Sequence, residues 1–408
     1  MSASAAPFET VMTPNLPPPA ARWGGFPDYN FVGGHNAPEG LTLDTLMGAL
    51  HGAINREGLK LATYNLDTGP QGYRPLRQFI VDHLKRVADV QADPDDVLIT
   101  SGSLQGMDLI NQALLAAGDH VIIEAVNYGG VLTRLKRLGV TAHAIPVDHD
   151  GMSMEGLEQT LSHLQAQGIT PKYIYTIPTV QNPSATVMSA ERRQRMIALA
   201  TAFDTTIFED DCYADLTFDG ARPPAIHALD TTGRVAYLGS FSKSIAPALR
   251  VGYVIAPWHL LSRLIALKTD AGTGALEQLM LAEYCPAHFE GHIARLLPVL
   301  KSKRDALMEA LGEHFGATAE YDTPQGGIFL WVKLPEQVDT TRLAAVAAKH
   351  GIAVNPGREW SVADDAGRHI RICYANPSEQ ALREGVARLA DVCFETFGVP
   401  TRSANVER

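Results

Sequence analysis

From residue 97 to residue 256 the chain repeats one pattern: a short apolar run, a loop of small residues, then a longer segment with helical spacing. The runs fall at 97–100, 120–124, 141–147, 173–177, 206–209, 235–238 and 251–256, and helical stretches such as 107–117, 154–167 and 190–202 separate most of them. Few folds accept this alternation. Strands separated by helices pair in parallel, and the crossovers cover both faces of the sheet. The predicted class is α/β, with a mostly parallel central sheet flanked by helices. Such sheets bind ligands beyond the carboxyl ends of their strands. The loops that follow the apolar runs are therefore where chemistry is expected.

The flanks suggest a second, smaller domain. Residues 1–25 are rich in Ala and Pro and read as a flexible arm. Leu43, Leu46, Met47, Leu50 and Ile54 recur at helical spacing, and residues 26–60 are expected to form the N-terminal part of the small domain. Residues 61–285 form the large domain and 286–311 a connecting helix. That helix ends a strongly helical stretch from 260, which Pro286 and Pro298 are expected to interrupt. Residues 312–408 complete the small α+β domain, with strands at 327–334 and 370–374 and helices at 341–350 and 377–397.

Composition removes several function classes. A net charge of −11 argues against a nucleic-acid partner. No apolar run reaches the length of a membrane span, and the N-terminus lacks the charged start and apolar core of a signal peptide. Cys212, Cys285, Cys373 and Cys393 have no C-x-x-C spacing, so they read as reduced thiols of a cytoplasmic protein and not as a metal site.

The chemistry centres on Lys243. It lies among small hydroxyl residues, Ser240-Phe241-Ser242-Lys243-Ser244, between two buried apolar runs, and Arg250 follows seven residues later. Lysine is seldom buried. Desolvation lowers its pKa and makes the amine nucleophilic. An activated amine beside an arginine suited to phosphate fits a Schiff base to pyridoxal phosphate. A phosphate also needs backbone N–H donors at a helix start. Ser101-Gly102-Ser103-Leu104-Gln105 stands there after the first run, which makes Gly102, Ser103, Leu104 and Gln105 candidates, joined by Ser240, Ser242 and Arg250. A pyridine nitrogen needs a carboxylate, and Glu209-Asp210-Asp211 ends another run, where unpaired acids are costly.

The same stretches resemble the fold-type I pyridoxal-phosphate enzymes, specifically the class I/II aminotransferases. The nearest likeness is to their aminoadipate and aromatic branch, related to the catalytic half of MocR-type regulators. The match rests on S-x-S-K followed by P-x-L-R-x-G-Y at Ser240–Tyr253, and on motifs in family order from about residue 30 to 395. The resemblance implies the type I fold and a homodimer. It implies transfer of an amino group from an amino acid to a 2-oxo acid, with Lys243 as the catalytic lysine. It casts Tyr128, in Glu124-Ala-Val-Asn-Tyr128, as the ring-stacking residue. Asp210 becomes the ring-nitrogen carboxylate and Tyr213 a donor to the ring hydroxyl, with Asp211 the alternative acid. Asn182, in Pro178-Thr-Val-Gln-Asn-Pro183, contacts the same hydroxyl and the substrate. Arg371 takes the substrate α-carboxylate, and Gly34 lets the backbone approach the ligand. Tyr64 stands for a tyrosine that reaches the neighbouring subunit's phosphate, although it precedes Gly72 by eight residues where the family has five.

The chain departs from the family pattern at His35, Leu104, Val126, Val180, Ala185 and Ala248. Elimination, cyclisation or oxidation at the α-carbon is therefore the alternative reaction. Ser240-Phe241-Ser242-Lys243 is formally the S-x-x-K of penicillin-binding proteins, but Lys268-Thr269-Asp270 stands where K-T-G is expected. A non-enzymatic alternative is a regulator-like ligand sensor. It is disfavoured by the short stretch before the first motif, which offers no helix-turn-helix pattern.

Overall fold

The computed structural model describes residues 22–218 and 222–400, with residues 8, 11, 12, 16, 19 and 20 of the N-terminal stretch. Most of the arm expected at 1–25 thus lies outside the described residues, as do residues 401–408.

Seven strands form the central sheet: β1 (Val97–Thr100), β2 (His120–Glu124), β3 (Thr141–Ile145), β4 (Tyr173–Thr176), β5 (Thr206–Asp210), β6 (Val235–Ser240) and β7 (Gly252–Ile255). Their spatial order is β1-β7-β6-β5-β4-β2-β3. Every neighbouring pair is parallel except those of β7, which runs antiparallel to both β1 and β6. The mostly parallel sheet read from the alternation is present. β1, β4, β6 and β7 are buried along their whole length, as strands covered on both faces must be. β3 is one of the two edge strands and is largely exposed.

The sequence reading missed the helix Gly129–Leu138, which covers this edge side of the sheet. Its ten residues open with two glycines, but Val131, Leu132, Leu135 and Leu138 do recur at helical spacing. Val131 and Leu135, four apart, are its buried anchors.

One helix, Ala275–His314, runs 40 residues without a break. The interruption expected at Pro286 and Pro298 does not occur. Each proline removes one ladder hydrogen bond at a cost of about 3 kcal/mol. Packing offsets this, because one face of the helix is buried along its whole course. Leu279, Tyr284 and Phe289 enter one apolar core, Leu296 and Leu300 the core against the sheet, and Leu307 and Leu311 a third core. The positions drawn at 285/286 and 311/312 both fall inside this helix.

The third core belongs to the small domain. There Phe329–Lys333, His369–Cys373 and Asn355–Pro356 form a three-stranded antiparallel sheet, with the His369–Cys373 strand in the middle. Tyr29–Asn30 returns to pair in parallel with Ile352–Ala353. This pairing carries the next residues, Gly33 and Gly34, to the carboxyl ends of the large sheet. Among the described residues no helix is long and apolar enough to cross a membrane.

Candidate active site

A cleft of about 1020 Å³ opens at the carboxyl ends of the large sheet, against the small domain. Lys243, three residues beyond β6, lies half-buried in it. Its Nζ donates to Gly34 O at 2.6 Å and sits 5.9 Å from the centre of the Tyr213 ring. A Cβ on Gly34 would lie 2.5 Å from Nζ, so any side chain there would displace the amine. Burial lowers the pKa of Lys243, with Arg371 and Arg250 adding to the shift against the opposing influence of Cys373 and Cys212.

One end of the cleft is built for an anion. The helix Ser103–Leu114 begins there, and Ser103 and Leu104 line the wall with Ser240, Ser242 and Arg250. Gly102 precedes the helix with φ +80°, and a Cβ on it would overlap Arg250 Nη2. Only glycine combines that backbone angle with that neighbour. Arg250 Nη1 donates to Pro247 O at 3.0 Å and to Ser242 Oγ at 3.4 Å, which fixes the guanidinium beside the helix start. The Gln105 side chain is engaged elsewhere: Oε1 accepts from Ser101 N at 2.8 Å and Nε2 donates to Asp270 Oδ2 at 2.6 Å. Gly102 and Gln105 therefore shape the loop behind the wall, while Ser103 and Leu104 face the cleft.

The three acids at the end of β5 have separate partners. Glu209 accepts from Ile226 N and His227 N, both at 2.8 Å, and so caps the start of a short helix. Asp211 Oδ2 accepts from Arg222 Nη2 at 2.5 Å and from Tyr237 OH at 3.0 Å, away from the cleft. Asp210 lines the cleft. Its Oδ2 accepts from Tyr175 OH at 2.7 Å, and its buried Oδ1 has no hydrogen-bond partner among the described residues. Of the two aspartates weighed from the sequence, Asp210 is the one presented to a ligand.

The far wall carries a connected set. Arg371 Nη1 donates to Asn182 Oδ1 at 3.2 Å, and Asn182 Nδ2 donates to Tyr213 OH at 3.2 Å. Arg371 Nη2 donates to Gly33 O and to Asn355 Oδ1, each at 2.8 Å. The guanidinium lies 3.4 Å from the Trp360 ring centre and 3.9 Å from that of Phe329. It is 2% exposed, its Nε has no partner, and it makes no ion pair among the described residues. Burial pulls its pKa down to about 10. A cation stacked and desolvated without a counter-ion is ready for a carboxylate. Tyr128 also lines the cleft, with its ring tilted against Trp360 at 5.7 Å.

The expected residues thus gather in one place, with Gly102 and Gln105 just behind its wall, except Tyr64, which is 82% exposed and outside the cleft. Sequence reasoning missed Trp360, Phe329, Asn355 and Tyr175. Phe329 meets Arg371 from a separate strand and Trp360 from the loop before Arg371's own strand, and nothing local announces that pairing. Tyr175 did leave a signal. Tyr173 and Tyr175 alternate in a strand whose other residues are apolar or small, so both phenols need buried partners.

Comparison with known proteins agrees with this geometry. The family description "Aminotransferase class I and II" matches residues 41–389. The aromatic-amino-acid aminotransferase 1 of Thermococcus litoralis is 33% identical over 371 residues, covering 90% of this chain and 88% of its own. The 2-aminoadipate transaminase of Thermus thermophilus is 29% identical over 365 residues, 88% of each chain. Among solved structures, a multiple substrate aminotransferase from Thermococcus profundus superposes with a TM-score of 0.86 at 31% identity, covering 96% of this chain and 99% of the other.

Proposed function

The chain belongs to the class I and II aminotransferases, and on that premise we propose that Lys243, Asp210 and Arg371 are the working centre of its cleft. The reaction is transfer of an amino group between an amino acid and a 2-oxo acid, with pyridoxal phosphate as cofactor. When bound, that group supplies an aldehyde for the substrate amine and a protonated ring that draws electrons from the α-carbon as its C–H bond breaks.

The residues present fit such a cofactor. Asp210 Oδ1 is a buried acceptor without a protein donor, which suits a cationic ring N–H. Ser103, Leu104, Ser240, Ser242 and Arg250 offer N–H and hydroxyl groups to a phosphate at a helix start. Tyr128 serves a ring face, and Tyr213 with Asn182 serves a ring hydroxyl. Arg371 binds the substrate α-carboxylate and, through Asn182, keeps it in register with Tyr213. The α-C–H bond is then held towards Lys243. Its Nζ would take the α-proton and pass it to the cofactor carbon that receives the amine, and would move a proton the opposite way in the second half-reaction. Gly34, whose carbonyl accepts from the resting amine, keeps Nζ in place.

The observation that carries this reading is a desolvated lysine amine sharing one cleft with a desolvated arginine that has no counter-ion. The test is the visible absorbance of the purified protein during titration with a panel of amino acids. One donor should bleach the band and a 2-oxo acid should restore it. Recovery without any oxo acid would replace transamination by elimination, cyclisation or oxidation.

The working unit we propose is a homodimer. Leu43, Met47 and Ile54 form an exposed stripe on the helix Leu43–Glu57, beside the face that buries Leu46, Ala49 and Ala53. Leu59 at 95% exposure and Tyr64 at 82% continue that surface. An apolar stretch of this kind is costly to leave in water. Sedimentation should give twice the chain mass, and Leu43→Glu with Met47→Glu should reduce it to the monomer and weaken cofactor binding if Tyr64 acts across the interface. We also place the protein in the cytoplasm, supported by four free thiols. Recovery from an exported fraction would contradict that placement.

A further inference from the structure

We propose that Tyr175 is the positioning residue for the ring-nitrogen carboxylate: its hydroxyl holds one oxygen of Asp210 so that the other remains free for the cofactor. The inference rests on the assignment of Asp210 above. Tyr175 sits in β4, paired with Phe208 of β5, and its hydroxyl reaches along that neighbour to Asp210 Oδ2 at 2.7 Å. The ring is 1% exposed and packs edge-on against Phe208 with centres 5.2 Å apart. A donor fixed on a buried central strand cannot follow the carboxylate if it turns. Asp210 is therefore held to one orientation, with Oδ1 unpartnered.

The same bond opposes a liability of the site. Burial raises the Asp210 carboxyl, and neighbouring Asp211 adds to the rise; the adjacent Cys212 and the Tyr175 hydroxyl lower it. Burial, with Asp210 beside it, holds the Tyr175 phenol well above its ordinary value, so the phenol remains a donor. A carboxylate must be ionised to hold a protonated ring nitrogen, and the tyrosine stabilises that form.

The chain contains its own control. Tyr173, two residues earlier, faces the same way, is also 1% exposed, and packs edge-on against the same Phe208 at 5.7 Å. Its hydroxyl donates to Asn111 Oδ1 at 2.9 Å, a neutral partner that does not line the cleft. Tyr173→Phe and Tyr175→Phe thus each remove one buried phenol hydroxyl from the same strand. Only the second touches the cofactor carboxylate.

The experiment measures the pyridoxal phosphate dissociation constant of the full chain after removal of bound cofactor, with the thermal midpoint of the cofactor-free protein alongside. Tyr175→Phe should weaken binding about 10- to 100-fold, the range for a lost hydrogen bond to a charged group. Tyr173→Phe should lower the midpoint comparably and leave binding within about twofold. In an Asp210→Asn background, where no carboxylate remains to hold, Tyr175→Phe should add less than about threefold. Equal binding losses in the two phenylalanine variants, or a full additive loss in the Asp210→Asn background, would overturn the role of Tyr175 and leave the cofactor assignment standing. Asp210→Asn binding as tightly as the wild type would instead remove Asp210 from the ring nitrogen, and Tyr175 with it.

Discussion

Lys243→Ala should lower turnover by about 10⁴-fold, at the upper end of what one positioned base contributes. Among the described residues no other lysine lies beside the same point. Lys243 is the lysine that lines the cleft beside Gly34, Asp210 and Tyr213; Lys136 lies on the helix Gly129–Leu138 at the opposite side. Lys243→Arg separates charge from basicity. A guanidinium keeps the positive charge but does not release its proton in the working range, so this variant should be as slow as alanine. The sign of the pH dependence follows from the environment. A base works in its neutral form, which dominates above its pKa, and burial lowers that pKa below the ordinary lysine value. The wild-type rate should therefore rise with pH and level off earlier than an exposed lysine would allow. A small primary amine added to Lys243→Ala should restore part of the rate, because it can enter the space left beside Gly34. Retention of more than a hundredth of the wild-type turnover, with an unchanged pH profile, would remove Lys243 from the proton transfer.

Much of this was readable before the structure, for physical reasons that differ from part to part. The sheet was legible because strands buried on both faces must be apolar throughout and crossover helices must be amphipathic; β1 and β2 have the predicted limits. Lys243 and the acids of β5 were legible because charges at the ends of buried strands are costly unless used. Cross-chain pairing was not legible. The sandwich of Trp360 and Phe329 around Arg371 joins residues brought together only when the small domain closes on itself. Proline misled in the long helix because local propensity weighed against burial that only the assembled cores supply. Gln105 is a different case: Asp270 and the Ser101 amide claim its side-chain amide, which leaves its backbone as the part that can serve a phosphate.

Asn36, two residues after Gly34, was not legible either. Its Nδ2 donates to Lys243 O at 2.8 Å and Ile245 O at 3.2 Å. Gly34 holds the tip of the lysine and Asn36 holds its backbone. The two together tie the N-terminal segment to the loop that carries Lys243.

Arg371→Leu should lower kcat/KM for amino-acid donors by about 10²- to 10³-fold, within the range for losing one partner of a buried charge pair. Most of the change should appear in KM for the amino acid and for the oxo acid alike, because both carry the same α-carboxylate. Arg371→Lys should recover little of it. The guanidinium holds its place through flat contacts with Trp360 and Phe329 and through Nη bonds to Gly33 O, Asn182 Oδ1 and Asn355 Oδ1. An ammonium has neither the plane nor the fork. The decisive comparison uses a primary amine that keeps the donor's side chain and lacks its carboxylate. Wild type should process it poorly, and Arg371→Leu should process it about equally, since the interaction removed from the protein is already missing from the substrate. If the variant instead loses as much on the decarboxylated amine as on the amino acid, the damage runs through Asn182 and Tyr213 to the cofactor side, and the substrate carboxylate is bound elsewhere.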